Sequence, residues 1–290
     1  SSKSSFYPSE GGMYDWVKRA FGAKMASRVA WNYWINFPLW IASLAVAVTD
    51  VVAGIFDIEL NIFWLLVLQL GYTWLVSILG TKRIGESKWI VNIGTFCKIL
   101  FMVGLGILGI YVFIKTGESA NPIESAMDLL PTMDLLGLSF LSVIIFNFLG
   151  FEVVATFVDD MENPKREIPK ALIIGGVLMA LFYILPATGV NIAMSLEEAE
   201  AAGITDSFLI LLTRIGINAD ITRAIVIIVG LMFIYTMVAN IVSWSFGVNS
   251  VAKYSADDGG LPKVFSKTNK EGVPYMSSIM NGIVASVIII

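Results

Sequence analysis

Asn92-Ile93-Gly94-Thr95-Phe96-Cys97-Lys98-Ile99-Leu100-Phe101-Met102 is the centre of an apolar block running from about 89 to 114, and its reading decides the fold. A helix crossing the ~30 Å hydrocarbon core of a bilayer needs about 20 predominantly apolar residues. This block exceeds that length with a single charge, Lys98, in its middle. Six more blocks qualify or nearly so: about 29 to 56, 62 to 80, 135 to 158, 171 to 194, 221 to 252, and a truncated one from 273 to 290. Charged, Pro-containing and Gly-containing stretches separate them. The pattern predicts an all-α, polytopic transmembrane helix bundle forming one transmembrane domain over 1–290, with an amphipathic stretch at 8–24 ahead of the first block.

The composition fits the same class. The 290 residues are 57% hydrophobic and 14% charged, with a mean hydropathy of +0.78, whereas soluble domains carry about 25% charged and 45–50% apolar residues. The excess of apolar residues needs lipid, and the lipid bilayer is the first expected partner. With Cys97 the only cysteine and no histidine, the chain has no intramolecular disulfide, no Ser-His-Asp triad and no His-ligated zinc. No enzyme activity, metal or cofactor is expected. A net charge of −4 without a basic face or stripe excludes nucleic acid as a partner. The chain opens at Ser1 without a signal-peptide pattern and stops inside Val284-Ala285-Ser286-Val287-Ile288-Ile289-Ile290, so we expect an internal part of a longer protein.

Lys and Arg are retained on the cytoplasmic side of membrane proteins. With the loop before the first block inside, the inner connections hold Lys18, Arg19, Lys24, Arg28, Lys82, Arg83, Lys88, Lys165, Arg166, Lys170, Lys253, Lys263, Lys267 and Lys270, and the outer ones only Lys115, Arg214 and Arg223. This asymmetry puts loops 8–28, 81–88, 159–170 and 253–272 in the cytoplasm of a multi-pass cell-membrane protein.

Charges inside a span face protein or water and point to function. Asp50, near the outer end of its block, reads as a carboxylate reaching the interface. Lys98 is mid-block, and two roles fit it: a fixed cation bridging helices through carbonyls, or a desolvated ammonium that exchanges a proton. Glu152 follows Phe146-Asn147-Phe148-Leu149-Gly150-Phe151, where Asn147, Gly150 and Glu152 interrupt an apolar helix. Either Gly150 serves close helix packing, or the helix is broken there and its freed peptide groups line a cavity. Trp244, in Ile241-Val242-Ser243-Trp244-Ser245-Phe246-Gly247, is an aromatic among small and polar residues well inside a span, and either faces lipid or the core, as aromatics in spans usually do, or lines the cavity.

Three ordered motifs resemble those of the amino acid, polyamine and organocation transporters over essentially the whole chain. Tyr7-Pro8-Ser9-Glu10-Gly11-Gly12-Met13-Tyr14 with Ala20-Phe21-Gly22 resembles the end of that family's second helix and its first inner loop. Phe146 to Glu152, followed by Glu162-Asn163-Pro164-Lys165-Arg166-Glu167-Ile168-Pro169, resembles its broken sixth helix and the connector beyond. Ala252-Lys253-Tyr254-Ser255-Ala256-Asp257-Asp258-Gly259, Leu261-Pro262 and Asn269-Lys270-Glu271-Gly272-Val273-Pro274 resemble the end of its eighth helix and the following loop. The resemblance implies a twelve-helix, five-plus-five inverted-repeat fold, of which this chain covers the end of the second helix to the start of the ninth. It further implies that Phe146 closes over the cargo, that Asn147, Phe148, Leu149 and Gly150 supply unwound backbone, that Trp244 packs against the cargo side chain, and that Tyr33 and Glu152 form an inner gate. Lys98 resembles the lysine that occupies a sodium position in sodium-independent relatives. Arginine/agmatine exchangers lack that lysine, and they also lack the proline of Asn36-Phe37-Pro38-Leu39-Trp40.

The expected function is secondary active transport of amino acids by alternating access, through exchange or proton-coupled uptake. Its alternative is antiport of an amino acid or polyamine against a decarboxylation product, and the small-molecule partner is accordingly an amino acid or amine. A competing class is a membrane nutrient sensor that keeps the ligand site without transport. The sequence sets no oligomeric state.

Overall fold

The computed structural model describes residues 11–82, 84–122, 125, 138, 141, 145, 150 and 161–290. Apart from the turns and loops that join them, these residues are helical, without a strand among them. In chain order the helices are α1 (Met13–Phe21), α2 (Ala23–Phe56), α3 (Ile62–Leu79), α4 (Ile84–Thr116), α5 (Pro164–Ala193), α6 (Leu196–Ala201), α7 (Ile204–Arg214), α8 (Ala219–Asp257) and α9 (Tyr275–Ile289), with a 3₁₀ turn at Lys263–Ser266. Among the described residues five stretches, in α2, α3, α4, α5 and α8, are long and apolar enough to cross a membrane, and α9 is a shorter apolar helix. Of the apolar stretch 135 to 158, only Leu138, Leu141 and Ile145, which are helical and exposed, and Gly150 are among the described residues.

The long helices overrun the apolar blocks. Helix α8 has 39 residues, or about 58 Å at 1.5 Å per residue, roughly twice the ~30 Å hydrocarbon core. Helix α5 begins at Pro164, upstream of the apolar run, because Pro at the first position gives up no needed N–H and has a helix-ready φ. A hydropathy pattern marks the stretch immersed in lipid, whereas intrahelical hydrogen bonding continues into water as long as no breaker intervenes.

Helix ends carry their own signals. The side chain of Asn61 accepts from Trp64 N–H at 3.1 Å at the start of α3. Ser195 and Glu198 form a reciprocal capping box on α6, and Asn218 accepts from Asp220 N–H at 2.8 Å ahead of α8. Two of the three basic residues assigned above to the outer loops tie helix C-termini together. Lys115 donates to Ile215 O, the cap of α7, while Arg214 donates to Ala193 O at the end of α5 and pairs with Glu198. Orphan carbonyls at helix ends attract cations in this way. The Ser195 N–H and then the Arg214 guanidinium hold the Glu198 carboxyl below its usual range.

Helix α8 is the axis of the bundle. Its Met237, Ile241, Val248 and Ala252 are buried with Trp34, Phe37, Ile41, Ala45 and Val48 of α2 and with Tyr72 and Val76 of α3. Tyr72 Oη donates to Met237 O at 3.1 Å, so the one polar atom of that ring is satisfied inside the core. Towards the other end, Val226 and Val229 of α8 pack with Phe101, Leu105 and Val112 of α4 and Phe208 and Leu211 of α7. The α4–α5 seam is closer still. A Cβ on Gly106 would stand 2.8 Å from Leu185 O, and one on Gly109 would overlap the backbone of Gly189. Lipid tails offer helices no hydrophobic incentive to associate, so close backbone approach at small residues supplies the dispersion contact.

The amphipathic α1 is clamped to the far end of α8. Buried Tyr14 donates from Oη to Asp258 Oδ2 at 2.7 Å, and Lys18 donates to the same oxygen. Lys18 first, then Tyr14, hold the Asp258 carboxyl below its usual range. Burial, reinforced by the Asp258 bond, pushes the Tyr14 phenol upward.

Gly189→Leu is expected to lower the melting temperature of the intact protein in detergent, at a cost of about 1–3 kcal/mol for an overpacked contact. Gly175→Ala, which meets nothing within 4 Å, should leave it nearly unchanged. Because the folded Asp258 carboxyl titrates below its unfolded value, its clamp contributes fully above about pH 4 and is lost as pH falls through the folded value. Asp258→Asn should mimic that loss at neutral pH and expose the chain to trypsin after Lys18 and Arg19.

Candidate functional site

Four helices converge on one cavity of about 310 Å³. Among the described residues its walls are Tyr33, Asn36, Phe37 and Trp40 of α2, Lys98 of α4, Met179 and Tyr183 of α5, and Asn240, Trp244 and Val248 of α8. The spacings explain why these residues share a wall. Positions 33, 36, 37 and 40 follow i, i+3, i+4, i+7, and 240, 244 and 248 follow i, i+4, i+8, each a single face of a helix. Pro38, buried within α2 beside that face, lacks the N–H that Trp34 O would otherwise accept.

Trp244 is held from two sides. Its ring meets that of Trp40 edge to face, with centroids 5.8 Å apart and planes at 79°. Such pairs contribute about 0.5–1.5 kcal/mol beyond burial. On its other side lies Gly150, whose φ is +111° and whose Cβ, if it had one, would stand 2.8 Å from Trp244 Cζ2 and 3.4 Å from Cη2. Any other residue would be strained by that φ and would strike the indole. The backbone at Gly150 is therefore non-helical, and it lies against the cavity wall.

Lys98 stands where three cavities meet. It lines the main one, a second of about 290 Å³ between α4 and α5, and a third of about 70 Å³ with Thr95, Thr236, Asn240 and Ser243. Thr95 Oγ1 donates to Val91 O at 2.9 Å and Thr236 Oγ1 to Phe233 O at 2.7 Å. With their hydrogens engaged on their own helices, these hydroxyls offer only lone pairs, which suits the ammonium of Lys98. Among the described residues no carboxylate lines any of the three cavities, and no set of three His, Cys, Asp or Glu could hold a metal. The main cavity thus offers aromatic faces for a cation, amides for either partner of a hydrogen bond, and one fixed ammonium.

Of the residues singled out in the sequence, Tyr33, Lys98 and Trp244 line this cavity and Gly150 abuts it. Phe146, Asn147, Phe148, Leu149 and Glu152 lie outside the described residues. Asp50 is exposed on α2. Asn36, Trp40, Tyr183 and Asn240 were not singled out as site residues. The sign that could have found Asn36 and Trp40 is the amide and aromatic stripe at helical spacing from Tyr33, and for Asn240 the amide one turn before Trp244, whereas Tyr183 carries no such sign.

Gly150→Ala is expected to displace the Trp244 ring and lower the melting temperature of the intact protein. In a Trp244→Ala background the same substitution should cost less, with a coupling of about 0.5–3 kcal/mol for residues in contact. Equal costs in both backgrounds would mean that the contact contributes nothing.

Comparison with known proteins follows the same outline. The family described as "Amino acid permease" matches residues 2–290. The "Probable agmatine/putrescine antiporter AguD" of Lactococcus lactis subsp. lactis is 41% identical over 286 residues, which is 98% of this chain and 60% of that protein. The "Lysine-specific permease LysP" of Lactococcus lactis subsp. cremoris is 28% identical, over 97% of this chain and 56% of its own length. The "Putrescine transporter PotE" of Escherichia coli is 27% identical, over 97% and 62%. The chain thus spans about 60% of the length of these relatives. It is a multi-pass membrane protein, and with the match running along nearly all of its residues it belongs to the amino acid permease family.

Proposed function

We propose that the intact protein is a secondary transporter that exchanges small amines and amino acids across the cell membrane by alternating access, with amine antiport as its main activity. The observation that carries this reading is the convergence of Tyr33, Lys98 and Trp244, from three different helices, on one cavity beside a non-helical glycine. A cavity of this kind, between long apolar helices and with aromatic walls but no paired catalytic groups among the described residues, suits reversible binding of a small cation-bearing solute. The amine preference is supported by the higher identity to the agmatine/putrescine antiporter than to the lysine permease.

In this reading the stretch from Asn147 to Gly150 is unwound within the inverted-repeat fold, and its bare peptide groups recognise the polar end of the cargo. Phe146 closes over the cargo and Trp244, steadied by Trp40, forms the opposite wall. Tyr33 and Glu152 close the path to the inner side, where the loops rich in Lys and Arg lie in the cytoplasm. Lys98 supplies the positive charge that a sodium ion would otherwise bring, or carries a proton.

The test is counterflow in proteoliposomes containing the intact protein. Vesicles preloaded with unlabelled putrescine should accumulate labelled agmatine, and empty vesicles should not. Trp244→Ala should raise the half-saturating concentration about 30-fold, since a desolvated cation–π wall contributes about 2 kcal/mol. Lys98→Ala should abolish exchange, and unchanged transport by that variant would remove Lys98 from the mechanism. Binding without counterflow would point to a sensor.

A further inference from the structure

We propose that Asn249 is a positioning residue for cargo binding, the centre of a buried amide bracket between α8 and α9 that fixes the rotation and depth of α8 and so aims Trp244 and Asn240 into the transport cavity. Asn249 is not among the residues that line that cavity. Its part in binding, which rests on the transport reading above, is exerted through its neighbours on the helix.

Asn249 faces α9. Its Oδ1 accepts from Ser277 Oγ at 2.7 Å and from Asn281 Nδ2 at 3.0 Å. Ser277 and Asn281 are i and i+4 on α9, one above the other on a single face, so two donors one turn apart converge on one acceptor. Bonds arriving from two heights fix both the rotation of α8 about its axis and its depth against α9. All three residues are exposed by 1% or less, so the bracket is closed between these two helices and leaves no surface for another segment of chain to meet.

What the bracket controls lies about 100° round the helix. Asn240, Trp244 and Val248 line the cavity, and Ser245 and Asn249 follow Trp244 and Val248 by one position each. A turn of α8 that breaks the bracket therefore carries the cavity wall with it. Beside the bracket the helices meet at small residues. A Cβ on Gly80, at the end of α3, would stand 2.5 Å from Ser278 Oγ and 3.1 Å from Ser245 Oγ, and one on Gly282 of α9 would stand 2.9 Å from Ser77 Oγ of α3. Small residues let helices approach closely but leave a seam with little relief. A slip of one residue, about 1.5 Å in depth and about 100° in rotation, is opposed most directly by hydrogen bonds that only one register makes.

Stability alone would not select this arrangement. Asn249 Nδ2 and Asn281 Oδ1 are buried without a hydrogen-bond partner among the described residues, and buried polar groups left over in this way lower stability. Apolar side chains of similar volume would fill the same space without that penalty, whereas a single buried amide is the kind of group that fixes the register of packed helices. What it secures here is the place of Trp244, whose ring meets Trp40 edge to face and the bare backbone at Gly150 at the same time.

The experiment is calorimetric titration of the intact protein in detergent with agmatine, with the melting temperature of each variant recorded. Asn249→Leu, and the triple variant Asn249→Leu/Ser277→Ala/Asn281→Leu that makes the whole bracket apolar, should raise the dissociation constant about tenfold, a part of the roughly 30-fold carried by the Trp244 wall. The triple variant should keep the melting temperature of the wild type. In a Trp244→Ala background the same substitutions should change the dissociation constant by no more than about twofold, because the ring they misplace is gone. Unchanged binding in both variants would overturn the proposal, and so would an equal loss with and without Trp244, the mark of a general packing defect. If the triple variant does not fold, Ser277→Ala, which removes one donor and leaves the other, should give an intermediate loss in the same cycle. Hydroxyl-radical oxidation read by mass spectrometry checks the point without a ligand: it should rise at Trp244 in the Asn249 variants and stay constant at Trp31, which is exposed on α2. Equal oxidation of Trp244 in variant and wild type would overturn the bracket whatever the wild type binds, whereas a wild type that binds agmatine without counterflow would overturn the transport reading alone.

Discussion

Inside a bilayer every peptide N–H and C=O must find its partner within the protein, and the architecture of this chain follows from that constraint. It makes each spanning segment a helix and lets those helices run past the hydrocarbon, as α8 does over 39 residues. It also dictates where irregular backbone can stand. Pro38 and Gly150, the one lacking a donor and the other held at a φ of +111°, are both placed beside the central cavity rather than on the lipid-facing surface. Peptide groups released from a helix there can be satisfied by water or by a bound solute.

Around that cavity the division of labour is physical. Trp244 is positioned by contacts on two sides, the ring of Trp40 and the bare backbone at Gly150, so a flexible indole becomes a defined wall. Lys98 is the one formal charge lining the cavity among the described residues. Two of the hydroxyls lining the small cavity beside it, Thr95 and Thr236, have their hydrogens committed elsewhere. Such hydroxyls offer an ammonium lone pairs rather than a counter-ion.

The two ends of the bundle treat their charges differently. At one end Lys115 and Arg214 bond to helix-terminal carbonyls and to Glu198, knitting α4, α5, α6 and α7 into a closed rim. At the other, Lys18 clamps α1 to Asp258 while Arg28, Lys24 and Lys263 are left without carboxylates among the described residues. Among the described residues the cations thus differ in what they bond, Lys115 and Arg214 reaching helix-terminal carbonyls while Lys18 and Lys253 pair with the carboxylates at the end of α8.

The sequence by itself determined the class, the family resemblance and several of the residues that matter. Long apolar runs are a local property, and a charge, a glycine or a tryptophan inside one is conspicuous without knowing any neighbour. Lys98, Gly150 and Trp244 are legible for that reason, whereas Tyr33 was reached only through the family resemblance. Only the tertiary structure decided which faces of α2, α4, α5 and α8 look at one another. Asn36, Trp40, Tyr183 and Asn240 are ordinary span residues until the helices are packed, because a cavity is made by the crossing of elements far apart in the chain. The same holds for the partners of Gly150. Its special backbone was suspected from its place in an apolar run, but that it stands against Trp244, 94 positions away, depends on packing that no periodicity encodes.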